Sequence, residues 1–170
     1  MLEHARRATQ TVTADWAPVG GLAVHDVRIK EIRNVLIRSG VLTECFRPEW
    51  FDAQFQPAHA VYMSLLPGGI SAWHCHRYQC DLIVAVRGQL RLGIYDDRPD
   101  SPTYKAGQVL HIGVARPAAV FIPPLVWHAI RNPAGDDAAY LVLNDRNFNY
   151  EEPDDWTLPA GADAIPLVLD

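Results

Sequence analysis

The stretch Gly68–Gly88, GGISAWHCHRYQCDLIVAVRG, decides how this chain folds. It opens on a Gly-Gly turn signal and runs through Trp73-His74-Cys75-His76. After a short polar interval it continues as the apolar run Leu82–Val86 and closes at a second turn, Arg87-Gly88. Successive side chains of a strand point to opposite faces, so His74 and His76 share one face while Trp73 and Cys75 take the other. Two imidazoles placed this way are able to share a metal ion or a substrate.

The flanking sequence has the same texture. Short β-branched or alternating runs recur at Ala60–Leu66, Ile70–His76, Leu82–Val86, Leu90–Tyr95, Val109–Ile112, Ala118–Ile122, Val126–Arg131 and Ala139–Leu143. Turn residues separate them, at Pro67-Gly68-Gly69, Arg87-Gly88, Asp96–Pro102, Pro123-Pro124 and Asn132–Asp136. Short strands at this spacing read as an all-β sandwich or barrel. The gaps are too small for the helices that a parallel sheet requires. Val27–Ile37 fits either a strand pair with a bend or a helix. The expected organisation is an irregular arm over residues 1–20, one domain over 21–150, and an extended tail over 151–170 that wraps the domain with Trp156 as its anchor.

Composition narrows the partners. With 170 residues and 49% hydrophobic content, the chain is long enough to bury a core and too apolar for a disordered tail. Twenty acids against fifteen Lys and Arg give a formal charge of −5, and the bases form no cluster, which argues against phosphate-backbone binding. No apolar run is long enough to span a bilayer and no secretory signal is visible, so a small-molecule partner and a cytoplasmic location are expected, with no nucleic acid and no membrane. Cys45, Cys75 and Cys80 are odd in number and lack CxxC spacing, so they read as free thiols. Trp73 and Trp127 alternate away from the neighbouring histidines and read as core. His4, His25, His59 and His111 belong to no motif and read as structural or surface residues.

A second segment, Phe121–Asn132 (FIPPLVWHAIRN), places His128 on a strand launched by Pro123-Pro124. Together the two segments resemble the paired motifs of the cupin superfamily. Gly68, His74, His76, Asp81 and Gly88 match the first motif, with Asp81 where Glu is usual. Pro123, His128 and Asn132 match the second, with Leu125 in place of its Gly. The resemblance implies a double-stranded β-helix, or jelly roll, with a ligand site inside the barrel.

From about Val27 to Trp156 the chain is similar, more narrowly, to the dTDP-4-dehydrorhamnose 3,5-epimerase family. Asp96, Arg98 and Ser101-Pro102-Thr103 match its D-x-R-x-x-S-P-T segment, and Phe121–Ala129 resembles its I-P-x-G-F-x-H-G-F strand. Gly40, Leu42, Glu44 and Phe46 keep the register of its D-x-R-G-x-F-x-E-x-F segment. Ser71–His76 aligns with R-G-L-H-Y-Q, which places His74 on the family's catalytic base. The chain departs at Ser71 and Ser39, where the family has nucleotide-gripping arginines, with Arg38 one place away. It departs again at His76, where the family has Gln, and at Val142, where it has its acid Tyr; Tyr140 lies two residues off on the same face.

The resemblance implies a sugar epimerase or isomerase acting on a 4-keto-6-deoxy, nucleotide-linked sugar, working as a homodimer and requiring no cofactor. His74, Tyr140 and His128 are the candidate catalytic residues. Glu44, Arg38, His76 and Tyr62 are the candidate substrate-binding residues. The wider cupin resemblance supplies an alternative, a metal-dependent oxygenase, isomerase or lyase holding Fe, Mn, Zn or Ni on His74, His76, Asp81 and His128. A third reading is a sugar-binding cupin without catalysis.

Overall fold

The computed structural model describes residues 4–17, 19–51 and 55–169. The strands, in chain order, are β1 (Arg28–Glu31), β2 (Asn34–Ile37), β3 (Gly40–Thr43), β4 (His59–Leu65), β5 (Trp73–Cys75), β6 (Asp81–Arg87), β7 (Gln89–Asp96), β8 (Gly107–Gly113), β9 (Ala118–Ile122), β10 (Val126–Arg131), β11 (Ala138–Asn144) and β12 (Trp156–Leu158). The helical content among the described residues is one 3-10 turn at Pro48–Trp50, so none of its helices is long and apolar enough to cross a membrane. Two antiparallel five-stranded sheets, ordered β1-β9-β6-β11-β4 and β12-β5-β10-β7-β8, build a jelly roll as expected, and β2-β3 forms a separate hairpin.

Alternation explains the layers. On β6, Ile83 and Ala85 face the central core with Leu90, Leu92, Ile94, Val120 and Ile130. Leu82 and Val84 face outward, yet they are also buried, because Phe51, Phe55 and Phe121 cover that side. This double burial is why the segment reads as a continuous apolar run. The other sheet is covered on its outer face by the C-terminal tail: Ile165 and Leu169 pack on Trp73, Tyr95 and Ala129. Trp73 is fully buried and donates its indole N–H to the Ala160 carbonyl at 3.2 Å. Removing such a side chain costs about 3–5 kcal/mol.

The turns carry the motif glycines. Gly68 and Gly88 adopt φ of +70° and +69°, the left-handed region that glycine enters at least cost. Asp96, fully buried, accepts bonds from the Arg98 guanidinium (2.8 Å), Ser101 Oγ (2.5 Å) and Thr103 Oγ1 (2.7 Å), so the D-x-R-x-x-S-P-T segment is a self-bonded turn. Asn132 spends its amide on the carbonyls of Leu65, Leu66 and Asp136, which gives the second motif's Asn a structural duty.

Three details differ from expectation. The Ile70–His76 strand contracts to Trp73–Cys75, with Ile70 making only an isolated bridge to Arg131. Val27–Ile37 resolves into β1 and β2 in different sheets, interrupted where Ile32 turns its side chain into the Phe51 cluster. Trp156 does not anchor the tail by its side chain, which is 57% exposed; its backbone pairs with Cys75, and Ile165 and Leu169 supply the apolar grip.

Candidate functional site

Strand pairing brings the histidines together. His74 on β5 is the direct cross-strand partner of His128 on β10, and their ring centroids lie 4.1 Å apart. His76 follows the end of β5 and stays on the same face, 5.7 and 5.8 Å from the other two rings. Asp81, first residue of β6 in the opposing sheet, reaches across: its Oδ2 is 3.1 Å from His128 Nε2 and 3.2 Å from His76 Nε2. The donor atoms of His74, His76, Asp81 and His128 all lie within 4.8 Å of one another.

Each ring is set by a backbone carbonyl. His74 Nδ1 meets the Ala72 carbonyl at 3.2 Å, His128 Nδ1 that of Val126 at 3.1 Å, and His76 Nδ1 that of Asp154 at 2.5 Å. A carbonyl oxygen only accepts, so each Nδ1 carries the proton and each Nε2 is turned to the shared centre. The carboxylate is held in turn, since Asp81 Oδ1 accepts the amides of Asn144 (2.7 Å) and Gln79 (2.9 Å).

The electrostatics divide the histidines by role. Burial, joined by the charge on His128, pushes His74 down to about 3, so its imidazole is neutral at physiological pH. Burial also opposes charge on His76, but the Asp81 carboxylate at its Nε2 outweighs this and lifts it to about 9. Burial works to raise the Asp81 carboxyl, and the hydrogen bonds from His128 and His76 prevail, holding it far below the usual carboxylate range. Burial, with Asp81 nearby, raises the Tyr140 phenol to about 12, so it remains a proton carrier. The Cys75 and Cys80 thiols are pushed up to about 12, chiefly by burial, and are poor nucleophiles.

His74, His76, Asp81 and Tyr140 line a cavity of about 330 Å³ between the sheets. His74 and His76 form one wall. Tyr140, Val142 and Asn144 of β11 form the other, with His59, Val61 and Met63 of β4 at its open edge. A wider groove of about 940 Å³ adjoins it and shares His76, Gln79, Phe148 and Asp155.

Of the residues singled out in the sequence, His74, His76, Asp81 and His128 converge and Tyr140 faces them. Tyr62 does not join them. It lies between the inward-facing Val61 and Met63, so alternation turns it outward, where it is 60% exposed. Arg38 sits at the exposed tip of the β2-β3 hairpin, and Glu44 is exposed and paired with Arg47 at 2.5 Å. Sequence reasoning missed His59, read as structural or surface, and also Gln79, Asn144 and Asp154. Asn144 was recoverable, because it continues the Tyr140–Val142 face of β11 by the strand's two-residue period.

Comparison with known proteins agrees with this architecture. Residues 25–156 match the model of the family described as FdtA: WxcM-like, C-terminal. The chain is 34% identical over 138 residues, 80% of its length and 88% of the relative's, to the probable low-salt glycan biosynthesis epimerase Agl13 of Haloferax volcanii. It superimposes on a dTDP sugar isomerase from Desulfovibrio desulfuricans with a TM-score of 0.79 at 22% identity, covering 86% of this chain and 92% of that one. The dTDP-4-dehydrorhamnose 3,5-epimerase of Bacillus anthracis, solved with TDP and pyrophosphate bound, gives a TM-score of 0.75 at 16% identity over 88% and 87%. At such identities these two structures establish the shared fold.

Proposed function

The chain belongs to the WxcM-like, C-terminal family, and on that premise we propose that it is a sugar epimerase or isomerase acting on a nucleotide-linked 4-keto-6-deoxy sugar. The observation that carries this reading is the division of labour across the cavity. A neutral His74, its Nδ1–H held by Ala72, presents a basic Nε2, and a protonated Tyr140 stands on the facing wall. A hydrogen on the carbon beside a ketone is acidic because the resulting carbanion delocalises as an enolate. His74 Nε2 takes that proton; the C–H electron pair becomes the C=C bond, and the carbonyl π pair moves to oxygen. The His76 imidazolium, its two N–H groups held by Asp154 and Asp81, places a positive charge in the same cavity that favours the developing enolate, the kind of preorganised charge that lowers such barriers. Tyr140 returns a proton from the other face, re-forming the ketone with the carbon inverted. Base catalysis of this kind contributes about 10²–10⁴-fold. The test is solvent-deuterium uptake into a dTDP-linked 4-keto-6-deoxy sugar. Wild-type protein incorporates deuterium and His74→Asn does not; a wild type that exchanges nothing overturns the reading.

A second reading is favoured by the convergence of donors. An imidazole that gives its Nδ1–H to a carbonyl leaves a lone pair on Nε2, and two such lone pairs face the Asp81 carboxylate at 3.1–3.2 Å. A positive centre must lie between them: a proton on each ring or a divalent cation. Three imidazoles and one carboxylate suit Fe, Mn, Zn or Ni, and their carbonyl partners give the orienting outer contacts such sites require. A cation held there by His74, His76, Asp81 and His128 supplies Lewis acidity toward a ketone oxygen. Elemental analysis of untagged protein separates the two: stoichiometric transition metal supports this reading, and active metal-free protein overturns it.

We also propose a cytoplasmic homodimer, the site of action being set by a soluble sugar-nucleotide substrate. The hairpin β2-β3 exposes Val35, Leu36, Ile37, Val41 and Leu42, with Leu36 83% exposed. A lone two-stranded ribbon is marginal in water, so this one gains from a second copy. Sedimentation of wild type as a dimer and of Leu36→Glu as a monomer is the expected result; a wild-type monomer at micromolar concentration refutes it.

A further inference from the structure

The tail crosses the loop between β5 and β6 at Asp154, and that one residue bonds four consecutive loop residues. Its backbone carbonyl accepts the Nδ1–H of His76 at 2.5 Å. Its carboxylate accepts the backbone N–H of Arg77 at 2.8 Å on Oδ1, and those of Tyr78 and Gln79 at 2.7 and 3.3 Å on Oδ2. Successive N–H groups converging on one anion make a nest, a fixed cluster of partial positive charges. Gln79 then passes its side-chain amide to Asp81 Oδ1. The clamp therefore governs the loop whose two ends, His76 and Asp81, meet at 3.2 Å across the site.

His76 needs this help more than its neighbours. His74 and His128 lie within strands and cap their Nδ1 atoms on carbonyls two residues back. His76 lies past the end of β5, where the Leu125 N–H bonds its carbonyl at 2.7 Å but its ring finds no carbonyl two residues back, and the ring's cap comes from 78 residues away. Pairing of β12 with β5, in the register Trp156↔Cys75 and Thr157↔His74, delivers Asp154 to that position.

We infer that Asp154 is a positioning residue: it holds the His76 ring with Nδ1 protonated and Nε2 facing Asp81 and the cavity, making the C-terminal tail part of the site. The inference rests on reading His76 as a site residue, and it holds whether its Nε2 bears a proton or a cation.

The experiment compares full-length wild type, Asp154→Asn and Asp154→Ala, each metal-free, by ¹⁵N-edited spectra of the imidazole rings, with kcat, KM and Tm for deuterium exchange into the sugar. Wild type shows a His76 Nδ1–H signal protected from solvent exchange. Asn keeps one acceptor oxygen and speeds that exchange, and Ala speeds it further or abolishes the signal. In parallel kcat falls about tenfold in Ala with KM within about twofold, as expected for a displaced group, and Asn recovers most of it. If Ala does not fold, the wild type and Asn decide between them. Equal protection in wild type and variants overturns the inference, as does a loss that only tracks Tm. The ring signal is read without substrate, so a protein that shows loss and rescue of protection but no turnover retains the clamp and sinks the isomerase reading.

Discussion

His74 and His128 face each other across the β5-β10 pair with ring centroids 4.1 Å apart. Two imidazolium ions at that separation in a buried site repel strongly, so one positive charge excludes the other. The pair is not symmetric: Asp81 Oδ2 lies 3.1 Å from His128 Nε2, whereas the hydrogen bond of His74 goes to the Ala72 carbonyl. His74, buried beside that ring and without a carboxylate of its own in hydrogen-bond reach, is the neutral base.

Replacing His128 by Gln in metal-free protein therefore moves the His74 titration upward. It stops short of the ordinary 6.5, because burial, the larger cause of the depression, persists. Ring NMR reads the shift directly, and deuterium exchange by the variant fails at a higher pH on the acid side than in wild type. An unmoved His74 titration means burial alone sets its state.

The His76–Asp81 pair gives stability a predictable pH window. His76 is raised in the fold, so its contribution is complete below the unfolded value of 6.5 and disappears as pH climbs to about 9. Asp81 is depressed, so its contribution is present above the unfolded 3.8 and is lost only on acidification well below that. Metal-free protein is thus most stable, as far as this pair is concerned, between about pH 4 and 6.5. Melting temperatures fall from pH 6.5 to 9, and Asp81→Asn flattens that slope. A slope unchanged in the variant assigns the dependence to other groups.

Leu125 occupies the place of a motif glycine and shows why one is usual there. Its φ is +63°, in the left-handed region that costs a non-glycine residue about 1–2 kcal/mol. The conformation is held by its N–H, which donates to the His76 carbonyl at 2.7 Å. Its side chain is 47% exposed and buries little. Leu125→Gly relieves the strain but adds freedom to the unfolded chain, for a net gain of about 0.5–1 kcal/mol in chemical denaturation. A loss of stability means the partly covered leucine contributes more than the strain it carries.

How much of this was readable in the sequence follows from what a strand's period encodes. Alternation places His74 with His76, and Tyr140 with Val142 and Asn144, because the period is fixed at two. It does not fix which face is inside. Tyr62 misses the cavity for that reason: pairing of β4 with β11 sets Val61 opposite Val142 and Met63 opposite Tyr140, and the residue between them points away. Glu44 keeps a family register and Arg38 lies one place out of it, yet both side chains are exposed, Arg38 at the hairpin tip and Glu44 paired with Arg47. Asp154 left no trace at all, since its contact with His76 is made by a backbone carbonyl that any residue owns. The all-β sandwich or barrel, by contrast, followed from turn spacing and from apolar runs that both covered faces demand, and the motif resemblance narrowed it to a jelly roll.

The metal reading yields the sharpest set of variants. His76 and His128 both aim Nε2 at Asp81 Oδ2, and His74 completes a group of donors within 4.8 Å. First-row metals bind imidazole and carboxylate donors at about 2.0–2.2 Å, which tetrahedral geometry converts to donor separations of about 3.3–3.6 Å, inside that limit. Cys80, although five residues from Cys75 and next to Asp81 in sequence, stands outside the group. Its backbone N–H bonds Asp145 at 2.8 Å, and its thiol is pushed up to about 12 by burial, so it offers no thiolate. Titration with Zn²⁺ or Co²⁺ followed by calorimetry should then show about tenfold or greater weakening in His76→Ala, His128→Ala and Asp81→Asn, with Cys80→Ala unchanged. Co²⁺ adds an independent readout, because visible absorption of tetrahedral intensity without a thiolate charge-transfer band identifies an N/O donor set. Full-affinity binding in His128→Ala places any cation elsewhere, and a thiolate band would bring Cys80 into the site and discard this geometry.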